Sequence, residues 1–188
     1  NTEEPWRLQG VTNDKKPPTL DQLDQWTRWR WTNVLLFLTG DDLDETAIPP
    51  QCAQDFLKGA QLMTPIEGGM LEITGRGVDF LLKPRAEQVW VLVDEYLANH
   101  APQNDRGDVV ALILSLAYTT VGRSYAIAEL SDPQQRALEV LFALGLIFRR
   151  KETSSRFYPT SIGLCGNQIA GAPPVTASAR WRGASRHR

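Results

Sequence analysis

One stretch of the chain reads Arg149-Arg150-Lys151-Glu152-Thr153-Ser154-Ser155-Arg156-Phe157-Tyr158-Pro159-Thr160. It combines four cations, two adjacent aromatic residues and a Pro-Thr pair that can begin a helix. The preceding residues are Leu141-Phe142-Ala143-Leu144-Gly145-Leu146-Ile147-Phe148, an apolar helix end followed by a glycine stop and a strand start. This order predicts a helix, a strand and then a charged β-hairpin that leads into another helix. It is typical of the recognition helix and wing of a winged-helix module.

An earlier segment repeats this layout. It contains Gly59-Ala60-Gln61-Leu62-Met63, then Glu67-Gly68-Gly69, then Leu71-Glu72-Ile73-Thr74-Gly75-Arg76-Gly77. Both copies lead from a short strand through a turn to a second strand, and both end in Thr-x-x-Gly, at residues 74–77 and 160–163. Two similar units favour a tandem array over a single enzyme core. We therefore predict a mainly α fold of tandem winged-helix modules with short β-hairpin wings.

Helix signals place the boundaries of these modules. Residues 1–18 show no apolar period and end in two lysines and two prolines, so we expect a linker or arm. The pattern Thr19-x-x-Gln22 predicts a capping box and Gly40 a helix stop, and Ser131-x-x-Gln134 predicts a second box. We place module one at 19–84, module two at 85–165 and a basic Gly/Pro/Ala-rich tail at 166–188.

The apolar run after Asp108 predicts one further helix. Residues 109–121 are strongly apolar, and an aspartate directly before them can accept a hydrogen bond from the first free N–H groups. We therefore expect a helix over 109–121 with Asp108 as its N-cap.

Charge is distributed unevenly along the 188 residues. The formal net charge is −2, yet residues 149–188 carry eight Lys or Arg against one Glu, whereas residues 1–148 carry 12 Lys or Arg against 21 Asp or Glu. An acidic body with a basic C-terminal end favours docking in an assembly, or a local phosphate contact, over general coating of nucleic acid.

The sequence lacks the residues that several classes of function require. The longest apolar run, residues 109–117, is shorter than the ~20 residues that cross a bilayer, and the start has no secretory signal, so we expect a soluble intracellular chain without a membrane partner. Cys52 and Cys165 stand alone, which favours reduced thiols over a zinc site or a disulfide. His100 and His187 are the only histidines, and no phosphate-binding glycine loop is present. We predict no catalytic residue, no cofactor and no metal.

A set of residues resembles a known family. The set comprises Trp26, Trp31, Phe37-Leu38-x-Gly40, Phe80-Leu81-Leu82, Gln88-x-Trp90, Tyr96-Leu97, Gly122-x-x-Tyr125, Leu144-Gly145-Leu146, Arg150-Lys151 and Ser155-Arg156-Phe157-Tyr158-Pro159-Thr160. It is similar to the winged-helix core subunit of transcription factor TFIIH, the subunit that anchors the XPB-type DNA translocase. The similarity covers roughly residues 20–160. Residues 163–188 depart from it, because several glycines and prolines interrupt the helix that the family has there.

The resemblance implies a function. It implies a nuclear, non-enzymatic architectural subunit that serves transcription initiation and nucleotide excision repair. Its expected partners are other TFIIH core subunits, and among them the XPB-type helicase would be contacted through regions absent from this chain. The middle part of the family pattern is the part present here.

The basic hairpin and one tryptophan are the candidate contact residues. Arg149, Arg150, Lys151 and Arg156 are predicted to contact an acidic partner face or phosphates; the alternative is a solvated hairpin with outward cations. Trp29 lies about half a helical turn from the apolar stripe of the first helix, so it is either an interface residue or packs on the arm at 1–18.

Sequence-specific DNA reading is the competing function. The outward positions of the two candidate recognition helices are Gln51, Gln54, Asp55 and Lys58 in module one, and Gln134, Gln135, Arg136 and Glu139 in module two. Each set holds a single cation beside a carboxylate, whereas groove-reading helices present several cations and amides. We favour protein docking, keep a DNA-binding transcription regulator with tandem winged helices as the alternative, and leave a non-specific DNA contact open.

Overall fold

Helices form most of the described part of the chain. A computed structural model describes Leu8 and residues 11–162. Its helices are α1 (Leu20–Thr39), α2 (Gln51–Gly59), α3 (Gly75–Leu81), α4 (Arg85–Glu95), α5 (Arg106–Ala117) and α6 (Asp132–Ala143). Its strands are β1 (Val11–Thr12), β2 (Met63–Pro65), β3 (Leu71–Ile73), β4 (Ser124–Ala126), β5 (Ile147–Phe148) and β6 (Arg156–Pro159). The mainly α class with short hairpins is confirmed. The predicted tail at 166–188 lies outside the described residues.

Two capping boxes fix the starts of α1 and α6. The Thr19 hydroxyl accepts a hydrogen bond from the Gln22 N–H (3.2 Å), and the Gln22 side chain accepts one from the Thr19 N–H (3.0 Å). Ser131 and Gln134 form the same box before α6. Gly40 ends α1 with φ 76°, a conformation that glycine adopts without strain. All three sequence predictions are confirmed.

The predicted cap at Asp108 is wrong. The helix α5 begins at Arg106, because the Val109 N–H already bonds to the carbonyl of Asp105 at 3.1 Å and winds the preceding residues into the first turn. Asp108 lies within that turn and accepts a hydrogen bond from the Ser131 hydroxyl (2.8 Å). It therefore joins α5 to the start of α6. The helix also ends at Ala117 rather than at residue 121.

The first hairpin unit is closed by a threonine. After α2 the chain turns through Gln61, which has a positive φ of 57°. The Thr74 hydroxyl then donates hydrogen bonds to the carbonyls of Gln61 (2.6 Å) and Leu62 (3.2 Å), and accepts one from the Gly77 N–H (3.0 Å). A Cβ atom at Gly77 would collide with the Leu62 carbonyl, so only glycine permits this approach of α3 to the turn.

The second hairpin unit has the same closure. After α6 the chain turns through Gly145, with φ 84°. The Thr160 hydroxyl donates to the carbonyls of Gly145 (3.4 Å) and Leu146 (2.8 Å). The repeat seen in the sequence therefore has a counterpart in the hydrogen bonds, with one threonine tying the end of each hairpin back to the end of its helix.

Thr160→Val should destabilise the chain by about 1–3 kcal/mol, because it keeps the shape of the side chain but removes a fully buried donor from the Leu146 carbonyl. Urea unfolding followed by circular dichroism measures the loss. Thr153→Val is the matched control, since Thr153 is exposed in the hairpin turn. Equal effects of the two substitutions would contradict this role of Thr160.

Two antiparallel sheets accompany the helices. The strands β2 and β3 form a hairpin, and the other four lie in the order β1-β4-β6-β5. The strand β1 belongs to the segment predicted as a linker or arm. It pairs with β4 through Val11 opposite Tyr125 and Thr12 opposite Ser124. This part of the arm is thus fixed to the edge of the sheet.

One hydrophobic core crosses the predicted boundary between residues 84 and 85. Trp31 and Leu57 from one side belong to the same buried cluster as Leu144 from the other. The ring of Trp26 on α1 stacks on Phe142 of α6 with ring centroids 5.7 Å apart. The two predicted modules therefore share their core, and α2 packs against α6. Trp31 is buried, as expected from its place on the apolar stripe.

Candidate functional site

The predicted basic hairpin is present, and we call residues 147–159 the wing. Its strands are paired with Ile147 opposite Pro159 and Phe148 opposite Tyr158. The turn is closed by hydrogen bonds between Lys151 and Ser154 in both directions, each 3.0 Å long. Phe157 and Tyr158 are buried, as expected for strand packing.

Arg149 does not lie on the outer surface of the wing. It is 6% exposed, and its guanidinium donates hydrogen bonds to the Glu139 carboxylate of α6 and to the Glu152 carbonyl. The same group lies 5.6 Å from the centroid of the Phe142 ring. The outward orientation expected from the sequence is wrong here, because neighbouring side chains of an extended segment point to opposite sides and Arg150 takes the outward one. Arg149 joins the wing to α6.

Arg150 and Arg156 converge on a carboxylate from the arm. Asp14 lies 3.5 Å from the Arg150 guanidinium and 3.7 Å from that of Arg156, and it accepts a hydrogen bond from the Tyr158 hydroxyl. These four residues line an open cleft together with Ser154 and Ser155. The structure thus brings together two of the predicted cations. Lys151 is exposed at the turn.

The electrostatics of this cluster favour a charged Asp14. The hydrogen bond from Tyr158 lowers the pKa of Asp14 below 3.8, and the Lys16 N–H and the two arginines act in the same direction. Burial raises the pKa of Tyr158, and the nearby Asp14 carboxylate raises it further. The phenol therefore stays protonated and remains a donor to the carboxylate.

The Asp14 contacts should stabilise the fold in a pH-dependent way. Because its pKa is lower in the folded chain, Asp14 contributes stability above pH 3.8 that is lost as the pH falls through the folded value. Asp14→Asn should therefore reduce the free energy of unfolding at neutral pH, and the gap from the wild type should narrow below 3.8. Urea titrations across this range measure the gap, and a gap independent of pH would contradict the assignment.

Trp29 lies on α1, apart from the wing. Its side chain is 44% exposed, and the guanidinium of Arg30 lies 5.7 Å from the centroid of its ring. No ion pair or ring contact joins it to a wing cation within residues 11–162. It remains a candidate contact residue on a separate element.

The polar side chains of α6 are bound within the chain. Gln134 donates to the carbonyl of Asp108 (3.0 Å), and Gln135 donates to that of Leu130 (2.9 Å). Arg136 pairs with Asp105 at 2.7 Å, and Glu139 pairs with Arg149. On α2, Lys58 and Gln51 both bind Asp55, and Gln54 donates to Pro49. Each predicted recognition position thus has a partner in its own chain.

In the part of the chain that the structure describes, we find no metal site and no membrane-spanning helix. Within it no group of His, Cys, Asp and Glu could hold a metal ion, and no helix is long and apolar enough to cross a membrane. The ring centroids of His100 and Phe56 are 4.8 Å apart. Cys52 is an exposed residue with a free thiol, and desolvation of that thiol raises its pKa. Cys165 and His187 lie outside the described residues.

Comparison with known proteins identifies the family. The model of the family described as transcription factor Tfb2 matches residues 2–170. The chain belongs to the transcription factor Tfb2 family. This result confirms, at the level of the family, the resemblance to a TFIIH core subunit drawn from the sequence.

Three relatives illustrate the extent of the similarity. The chain is 34% identical over 157 residues to general transcription factor IIH subunit 4 of Dictyostelium discoideum, covering 81% of the chain and 32% of that protein. It is 35% identical over 152 residues to the general transcription and DNA repair factor IIH subunit TFB2 of Yarrowia lipolytica (80% and 32%), and 32% identical over 157 residues to that of Saccharomyces cerevisiae (82% and 30%). The chain thus spans about a third of the length of these curated relatives. All three are named as transcription factor subunits.

Sequence reasoning missed two residues of the cluster in this Tfb2-family chain. Asp14 belongs to the segment predicted as a linker or arm, and nothing in the sequence pattern indicates that the Tyr158 hydroxyl binds a carboxylate. Their side chains are 144 positions apart, and no local pattern predicts that they meet. The pairing of β1 with β4, which brings Asp14 to the wing, involves only two residues and leaves no periodic signal.

Proposed function

We propose that this chain is part of a non-enzymatic, architectural subunit of the TFIIH core in the nucleus. In this role it scaffolds the complex and helps to regulate the XPB-type DNA translocase, which the subunit contacts through segments that this chain does not include. The complex serves transcription initiation and nucleotide excision repair. Membership of the Tfb2 family and the names of the relatives support this proposal.

We also propose that the chain folds as two winged-helix modules, at 19–84 and 85–165. The order α4, α5, β4, α6, β5, β6 supports the second module, with β6 paired to β4 on one side and to β5 on the other. The helix α2 and the hairpin of β2 and β3 repeat the end of that arrangement. The matching bonds of Thr74 and Thr160 support the relation between the two.

The observation that supports a docking role is that the polar side chains on the candidate recognition helices are already bound within the chain. A helix that reads base edges needs free donors and acceptors, and the polar side chains of α6 are bound by their own chain. Arg150 and Arg156 of the wing pair with Asp14 over longer distances of 3.5 and 3.7 Å and line an open cleft, and Lys151 is exposed at the turn. We therefore propose that Arg150, Lys151 and Arg156 contact an acidic partner, with Trp29 as a second contact. A protein-docking role explains the bound side chains of α6 and the exposed wing cations better than a role in reading DNA does.

A pull-down tests the proposal. An affinity-tagged chain incubated in nuclear extract should retain TFIIH core subunits, identified by mass spectrometry. Without those subunits it should not be retained on duplex DNA at about 150 mM salt, where non-specific phosphate contacts are weak. The isolated chain should neither hydrolyse ATP nor stimulate the XPB-type ATPase. Retention on duplex DNA with no TFIIH subunit bound would instead favour the regulator.

A further inference from the structure

We propose that the wing holds a carboxylate-binding site for an acidic peptide segment of a partner protein, and that Asp14 occupies this site from within the chain until such a segment displaces it. The inference rests on the proposed docking role of the wing and names the chemistry of the partner. The arm that carries Asp14 is then an internal competitor for the surface.

The geometry provides more donors than Asp14 can use. Direct pairs between guanidinium and carboxylate groups are about 2.7–2.9 Å long, whereas Asp14 lies 3.5 Å from Arg150 and 3.7 Å from Arg156. Two cations face a single carboxylate, so the cluster keeps an excess of positive charge. The two arginine side chains are 48% and 34% exposed, and their remaining N–H groups are accessible to a second anion.

The cleft beside Asp14 gives such an anion a place to bind. It is open to solvent and is lined by the hydroxyl-bearing Ser154, Ser155 and Tyr158 as well as by the two arginines. Hydroxyl groups and guanidinium groups are both donors, which suits a carboxylate. Asp14 itself is a carboxylate that is 19% exposed. The Asp14 side chain that these donors bind thus already shows which chemical group the site accepts.

The compactness of the site favours an acidic peptide over DNA. A duplex presents a line of phosphates, and binding it uses several cations spread along the backbone. Here Arg150 and Arg156 converge on a single point, Arg149 is buried against Glu139, and Lys151 at the turn is the one other wing cation that stays exposed. One recessed carboxylate fits this arrangement better than a row of phosphates.

Within the described residues 11–16 of the arm, few hydrogen bonds attach the chain to the sheet and the wing, so exchange is feasible. The strand β1 contains two residues, and Thr12 is held to Ser124 by hydrogen bonds of 2.7 and 2.8 Å. Asp14 adds the contacts with the wing and a bond from the Lys16 N–H (3.2 Å). A segment with few hydrogen bonds opens at lower free energy than the core. Displacing Asp14 therefore requires opening of the contacts at residues 11–16.

The experiment measures binding of a fluorescein-labelled hexaglutamate peptide to the full chain by fluorescence anisotropy. Asp14→Asn keeps the shape of the side chain and removes the competing charge, so the peptide should bind at least about fivefold more tightly than to the wild type at low salt. Asp42→Asn is the matched control, an exposed carboxylate after α1 with the same change in net charge, and should stay within about twofold of the wild type. Adding Arg150→Ala and Arg156→Ala to Asp14→Asn should abolish the gain.

Three outcomes would overturn the inference. They are equal affinity of the wild type and Asp14→Asn, a gain that survives loss of both arginines, and a gain for a labelled duplex DNA without one for hexaglutamate. Thermal unfolding of each variant checks that the fold is kept. If the chain retains TFIIH subunits but fails the peptide test, the inference falls and the proposed function stands. If the peptide test succeeds but the chain retains no TFIIH subunit, the carboxylate-binding site stands and the proposed function falls.

Discussion

Leu144→Ala should lower the free energy of unfolding by about 2–5 kcal/mol, the range for a leucine removed from a packed core. Leu144 is 1% exposed and directly follows α6, where it belongs to the core cluster that includes Trp31 and Leu57. The helix is held from both ends, by its capping box and by the bond network around Gly145, so it cannot easily shift to fill the cavity. Leu141→Ala should act in the same direction. Urea unfolding measures both.

Leu114→Ala is the control for these substitutions. It removes the same atoms from the exposed face of α5 and should change stability by no more than about 0.5 kcal/mol. A loss below about 1 kcal/mol at both Leu141 and Leu144 would mean that the packing of α6 against the sheet is misassigned.

Replacing Arg150, Lys151 and Arg156 together by Glu should weaken binding to the TFIIH core subunits by about tenfold or more at low salt. Three reversed charges on a docking surface slow association with an acidic partner, and the loss should shrink as added salt screens the charges. The fold should be kept, because these side chains are partly or fully exposed, but the melting temperature should fall somewhat, since Arg150 and Arg156 lose their ion pairs with Asp14. Arg149 is left unchanged, since a glutamate there would face Glu139 in a buried position.

The control reverses Lys83, Arg85 and Arg123, three cations on the exposed surface outside the wing, with the same change in net charge. Affinity is measured by surface plasmon resonance on immobilised core complex at several salt concentrations. Equal losses of affinity in the two triple variants would mean that the effect depends only on overall charge. Unaltered binding by the wing variant would mean that the hairpin is merely solvated.

Local signals predicted much of the fold from the sequence. The capping boxes at Thr19 and Ser131, the stop at Gly40 and the repeated hairpin all depend on residues a few positions apart, where backbone geometry directly limits the side chains. The apolar helix end before the glycine stop, which includes Leu144, depends on residues that are equally close in sequence.

The candidate site was less accessible to the same reasoning. A run of charges gives no indication of which cation a neighbouring helix will bury, and only the packing of Glu139 and Phe142 turned Arg149 inward. Asp14 reaches the wing through a strand too short to show alternation. Asp108 appeared to be a cap because its distant partner, Ser131, could not be foreseen. Contacts between remote segments decide all three cases.

The core that crosses residues 84 and 85 has a mechanical consequence. Trp26 stacks on Phe142 and α2 packs against α6, so both hairpins are attached to one shared core. We therefore expect the hairpin of β2 and β3 and the wing to keep a fixed distance from each other. A partner that binds both hairpins would have to match that distance.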